Sequence, residues 1–179
     1  REKTVVYCLK KERMSGMDEV RFRRMTIGDI PAVCGIRMRQ LIEEQRENRR
    51  PPDEERDLRA ALEDYYERHL SDGTFVSYLA ETGGEIIGTS GISFVEKPPW
   101  FGCPSGKIGL LSGMYTDPRF RRQGIARTLL SKVVGAAKEA GCGAVHITAS
   151  DMGTKLYDAF GFEENGNFRQ LKLSGSERL

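Results

Sequence analysis

The sequence predicts an α/β fold: one domain in which a mixed, mostly antiparallel sheet of six to seven strands is flanked by about four helices. Three observations predict it. Apolar residues recur with period two and period 3.6 in turn, in the order strand, two helices, three strands, helix, strand, short helix, strand. Gly83-Gly84 separates two strand-like runs, which marks an antiparallel hairpin. A basic turn, Arg121-Arg122-Gln123-Gly124-Ile125-Ala126, joins a strand-like run to a helix-like run. At 179 residues the chain is long enough to bury a sizeable core.

Residues 1–16 carry Arg1, Lys3, Lys10, Lys11 and Arg13 and read as a leader or disordered extension. Within it, Val5-Val6-Tyr7 has the composition of an added edge strand. Met17 is the expected start of the domain, which runs to residue 173, with 174–179 as a tail. Residues 20–25 alternate as a strand does. Asp29 and Pro31 then start a helix whose stripe is Ile30, Val33, Cys34, Met38, Leu41 and Ile42. It ends in a charged segment, 43–50, before Pro51-Pro52. Asp53 opens a second helix with Leu58, Leu62, Tyr65, Tyr66 and Leu70 on one side, and Gly73 closes it. Residues 75–80 and 86–95 form the hairpin, and 98–102 a stiff loop bearing Trp100 and Phe101. Residues 107–116 are apolar on both faces, as a covered central strand is. After the basic turn, Ile125, Leu129, Leu130, Val133, Val134, Ala137 and Ala140 define an amphipathic helix. A short strand at 144–149, a short helix at 154–160 and a last strand at 168–173 complete the chain.

Composition narrows the function classes. There are 28 Lys and Arg against 26 Asp and Glu, a net charge of +2, which argues neither for nor against nucleic acid since the arginines could cluster; no nucleic-acid partner is expected. No apolar run approaches a membrane span, so no membrane partner is expected. The four cysteines, Cys8, Cys34, Cys103 and Cys142, form no C-x-x-C pair. No metal site is expected, and a reducing cytoplasm is the expected location. The segment 102–107 imitates a phosphate-binding P-loop, but Ile108 stands where Ser or Thr is needed and a strand follows.

The basic turn carries the chemistry. The first N–H groups of a helix lack internal acceptors and the helix dipole adds partial positive charge there. A glycine at the entry lets an anion approach the backbone closely. The turn is therefore read as a phosphate or pyrophosphate cradle, with a solvated basic face or an RNA-binding patch as the alternatives.

With Arg121-x-x-Gly124-x-Ala126 placed after a long strand and before an amphipathic helix, the chain resembles the GNAT superfamily of acyl-CoA-dependent N-acetyltransferases from about residue 20 to 173. The segment Lys155-Leu156-Tyr157-Asp158-Ala159-Phe160-Gly161-Phe162 resembles that family's late helix with its aromatic and Gly-Phe ending. The family often has Asn where Ser150, Asp151 or Lys155 stands here. The resemblance implies acetyl-CoA as co-substrate. Its pyrophosphate would be held by Arg121, Arg122, Gln123, Gly124, Ile125, Ala126 and Arg127. Its pantetheine would pair with the backbone of Met114, Tyr115 and Thr116. The sheet would splay between strands 107–116 and 144–149, and Tyr157 would lie near the sulfur as the catalytic acid. The acceptor would be an amine on a small molecule or a peptide, and the protein a monomer or homodimer. The alternative is a non-catalytic acyl-CoA-binding sensor on the same fold.

An amine with a pKa of about 10.4 is neutral in roughly one molecule in 2,500 at pH 7, so deprotonation costs about 4.6 kcal/mol. A base or water relay must take that proton. Strand 107–116 offers Ser112 and no carboxylate, and Glu43, Glu44 and Glu81 are the unassigned candidates. The acidic stretch Glu43, Glu44 and Glu47 favours a cationic acceptor. No cysteine stands at a nucleophile position, so attack on the thioester is expected to be direct. His69 at a helix C-terminus and His146 in a short strand are read as structural.

Overall fold

A computed structural model describes residues 19–44, 51–164 and 166. Two compact units divide the chain between Thr148 and Ala149. The first holds β1 (Arg21–Arg24), α1 (Ile30–Glu44), α2 (Pro52–Ser71), β2 (Phe75–Thr82), β3 (Glu85–Glu96), β4 (Lys107–Thr116), α3 (Ile125–Glu139) and β5 (Ala144–His146). The second holds α4 (Asp151–Phe160). The strands form one mixed α/β sheet in the order β1-β2-β3-β4-β5, antiparallel throughout except for the parallel β4–β5 pair.

The sheet has five strands among the described residues, fewer than the six to seven expected. The expected strand at 168–173, the edge segment 5–7, the leader and the tail all lie outside the described residues. β5 also stops at His146, because its pairing with β4 covers only Ile108↔Ala144, Gly109↔Val145 and Leu110↔His146. The late helix starts before Thr154, since the Ser150 carbonyl already accepts from the Gly153 and Thr154 N–H groups. No helix among the described residues is long and apolar enough to cross a membrane.

Each face of the sheet has its own cover. Gly88 and Gly91 are three residues apart on β3 and so point to opposite faces. A Cβ at Gly88 would meet Leu129 and Ile125 of α3, and one at Gly91 would meet Phe75. Phe75 packs in the cluster of Met25, Ile30, Val33, Cys34, Tyr66 and Leu79, beneath α1 and α2. On the α3 face, Leu129, Leu130 and Val133 are fully buried. Each such side chain contributes about 1.5–3 kcal/mol by leaving water. The entry to α1 is tied down by Asp29. Its carboxylate accepts from the Thr26 N–H at 2.8 Å and from the Arg23 guanidinium at 2.7 and 2.8 Å, while Arg23 Nε donates to Glu81. β4 was expected to be covered on both faces, but Leu110 is 40% exposed and Ser112 is exposed.

Candidate acyl-CoA and acceptor site

The site is built on an irregularity in β4. Thr89 pairs with Tyr115 and Gly91 with Ser112, so Ser90 alone faces both Gly113 and Met114. Two residues opposite one is a β-bulge, which bends the strand and sharpens its twist. Gly113 takes φ +60°, a conformation that costs an L side chain about 1–2 kcal/mol. Side chains pin the bulge from both sides. Thr89 Oγ1 donates to the Gly113 carbonyl at 2.7 Å, and Gln40 Nε2 donates to the Met114 carbonyl at 3.1 Å. Arg37 Nη1 in turn donates to Gln40 Oε1 at 2.8 Å. Because β5 pairing ends at Leu110, the remainder of β4 has no strand beside it on that edge among the described residues.

At the end of β4 the chain enters the basic turn. Asp117 accepts from the Arg119 N–H at 2.9 Å and opens a short 3-10 turn, Pro118–Phe120. The Arg119 guanidinium also binds Asp117 and Glu85, which draws Asp117 below the usual carboxylate range. Arg122 has φ +65° and Gly124 has φ +83°. Alternating left-handed residues turn successive N–H groups into one concavity, a shape that binds anions. Gly124 caps α3 without any side-chain hydrogen bond, and the first turn of α3 holds no acidic residue. The helix ladder begins with the Thr128 N–H on the Gly124 carbonyl at 3.0 Å. The N–H groups of Ile125 and Ala126 precede that first bond, at the helix end where backbone donors lack intrahelical acceptors. A Cβ at Gly124 would meet nothing within 4 Å, so the concavity opens to free space. Thr116 Oγ1, buried at the strand end, has no hydrogen-bond partner. The residues present fit a pyrophosphate.

The Arg121 side chain is engaged at the strand end. Its Nε donates to the Thr116 carbonyl at 3.0 Å, its Nη2 lies 3.2 Å from Glu43 Oε2 on α1, and its guanidinium stacks 6.0 Å from the Tyr115 ring centre. Met114, Tyr115, Thr116 and the turn residues Arg121 to Arg127 are thus brought together in the first unit, with Arg121 bracing the strand end by its side chain. Tyr115 is buried, and desolvation pushes its hydroxyl pKa upward.

The sequence-based base candidates are engaged elsewhere. Glu81 is bound to Arg23 at 2.8 Å and Glu43 to Arg121. The Glu44 side chain and Glu47 lie outside the described side chains. The charge that was to attract a cationic acceptor is, at Glu43, already paired. His69 ends α2 with Nδ1 2.6 Å from Thr74 Oγ1, and His146 ends β5 in solvent. Trp100 and Phe101 are 40% and 109% exposed at the tip of a short turn closed by the Trp100↔Cys103 bridge.

Beside the bulge lies a small pocket with about 10 Å³ of interior space, close to that needed by one water molecule. Arg37, Tyr66, Ser77, Thr89 and Ser112 supply its polar lining, over Val33 and Phe75. Burial pushes the Tyr66 hydroxyl up to about 12, so it stays a neutral donor. Sequence reasoning missed Arg37 and Gln40. Their signal was present: Arg37 falls on the apolar stripe of α1, between Cys34 and Leu41.

Tyr157 belongs to the second unit. It is 5% exposed, and its ring packs edge-on against Phe162 at 5.6 Å. Gly161 is left-handed, its N–H donates to the Asp158 carbonyl, and the Phe162 N–H donates to the Tyr157 carbonyl. This is a Schellman ending, with Tyr157–Phe162 as its apolar contact. The Gly-Phe sequence therefore holds Tyr157 in place.

The acetyltransferase (GNAT) family profile matches residues 37–162. The chain is 30% identical over 106 residues to the aminoglycoside N(6')-acetyltransferase type 1 of Salmonella typhimurium, across 54% of this chain and 72% of that protein. It is 30% identical over 115 residues to N-acetyltransferase 8B of Rattus norvegicus, across 62% of this chain and 50% of that protein. A Clostridium acetobutylicum protein described as a predicted acetyltransferase, solved with acetyl-CoA, superposes with a TM-score of 0.79 at 31% identity, over 87% of this chain and 97% of that one. The chain belongs to the GNAT family of acetyltransferases.

Proposed function

We propose that the protein is an N-acetyltransferase that moves the acetyl group of acetyl-CoA directly onto an amine of a small molecule or peptide. The observation that carries this reading is the uncapped, left-handed turn at Arg122 and Gly124, set directly after a bulged strand that beyond Leu110 has no strand on its β5 edge among the described residues. The turn N–H groups from Arg122 to Arg127 hold the pyrophosphate. The open edge at Met114, Tyr115 and Thr116 takes the pantetheine as an added strand would.

In the reaction the acceptor nitrogen bonds to the thioester carbonyl carbon and the carbon–sulfur bond breaks. A strand N–H near Met114 supports the developing oxyanion. The nitrogen gives its proton to water, since among the described residues no carboxylate lines the pocket. The departing thiolate takes a proton from Tyr157.

Calorimetric titration of acetyl-CoA into the protein and a Gly124→Glu variant tests the reading. Binding by the native protein that is lost in the variant, with its thermal melt intact, is expected. A native protein that neither binds acetyl-CoA nor acetylates any amine would sink it. Binding without transfer to any amine would leave an acyl-CoA sensor.

A further inference from the structure

The pocket beside the bulge names the class of the acceptor. Arg37 is its one charged lining residue. Its hydrogen-bond acceptor is the neutral Gln40 amide, and among the described residues no carboxylate pairs with it. Among the described side chains, two helix carboxylates nearby are taken: Glu43 by Arg121 at 3.2 Å and Glu63 by Arg59 at 3.1 Å. A guanidinium has five N–H donors, and only one of those on Arg37 goes to Gln40. Tyr66, Ser77, Thr89 and Ser112 line the same space. A half-buried cation with spare donors, set among hydroxyl-bearing residues, is the chemistry that binds an oxyanion, and it repels a second cation.

We propose that the acceptor amine also carries an anionic oxyacid group, a carboxylate or a phosphate, and that Arg37 holds that group. The inference rests on the transferase reading and specifies its second substrate. The pocket's interior has room for about one water-sized group, so a single oxygen of the anion enters it and the remainder of the acceptor lies outward, over Ser112 and Gly113. Gly113 belongs to the bulge, next to Met114. Anchor and reacting nitrogen are therefore separated by only a few bonds. The anion also reaches the bulge indirectly, because Arg37 holds Gln40 and Gln40 holds the Met114 carbonyl.

The test uses the full chain saturated with CoA and matched pairs of acetylated products. Binding of N-acetylglycine is compared with N-acetylglycinamide, and N-acetylglucosamine 6-phosphate with N-acetylglucosamine, by ligand-observed NMR titration. The anionic member of at least one pair is expected to bind about 10-fold or more tightly, as a charge-assisted contact does. The pair that discriminates tells carboxylate from phosphate. Arg37→Met keeps the aliphatic stem and is expected to remove the preference, while Arg37→Lys keeps part of it. Equal binding, or no binding, within both pairs would overturn the proposal, as would a preference that survives in Arg37→Met. A preserved anion preference with no acetyl transfer to any amine would instead overturn the transferase reading alone.

Discussion

Gln40 donates to the bulged Met114 carbonyl and accepts from Arg37. Replacing it with Leu keeps the volume and deletes both contacts. The expected result is a fall in kcat/KM of about 10-fold or more, because a slight misplacement of reacting groups is costly. Stability should drop by only about 1 kcal/mol in a urea melt. A lowered stability with unchanged kcat/KM would reduce Gln40 to a brace. Tyr157→Phe preserves the contact with Phe162 and removes the hydroxyl. Here kcat is expected to fall about 100-fold with acetyl-CoA affinity unchanged, as the loss of a general acid predicts. Asp29 gives a pH dependence. Arg23 holds its carboxyl well below the usual carboxylate range, so its stabilisation is complete above about pH 4 and is lost as pH falls through the folded-state value. Acid melts of Asp29→Asn should show a shallower loss between about pH 4 and pH 2 than the native protein. Single residues were the least legible part of the sequence. The fold sets the Arg121 side chain against the Thr116 carbonyl and Glu43, a pairing that the sequence does not show. That pairing depends on α1 lying beside the end of β4, a contact far apart in sequence.

At the scale of elements, local chemistry was informative. β4 occupies Lys107–Thr116 as its pattern predicts, and the Gly83-Gly84 hairpin joins β2 to β3 because both glycines supply the positive φ such a turn needs. The Gly113 bulge was not legible, since it exists only in register with β3. The early start of α4 escaped for a similar reason: the Ser150 carbonyl begins it in place of a side-chain cap. Two substitutions weigh these elements. Leu129→Ala, at a fully buried position on α3, should cost about 2–5 kcal/mol in denaturant unfolding. Gly161→Ala must adopt φ +102° and should cost about 1 kcal/mol or more. It should also lower kcat, since the same ending seats Tyr157.

For the whole molecule, the order of elements and the position of the basic turn were legible because each rests on a short-range period or a turn residue. The division after Thr148 was not, for no Pro- or Gly-rich linker marks it. The native state should gain stability by mass action when acetyl-CoA binds. At about 100 times its dissociation constant the gain is about 2.7 kcal/mol. In a chain of this size that raises Tm by roughly 5–10 °C. Scanning calorimetry of Gly124→Glu at the same ligand concentration should show no such rise.

Arg121 touches the end of β4 and α1 at once. In the proposed site the first would take the pantetheine of acetyl-CoA, and the second, through Val33 and Arg37, lines the pocket proposed for the acceptor. A ligand that redraws the Arg121–Glu43 pair changes the free energy of the opposite berth, and linkage requires the effect to be reciprocal. The two substrates should therefore show heterotropic cooperativity: each should alter the other's dissociation constant by one shared factor, and Glu43→Gln should bring that factor toward unity.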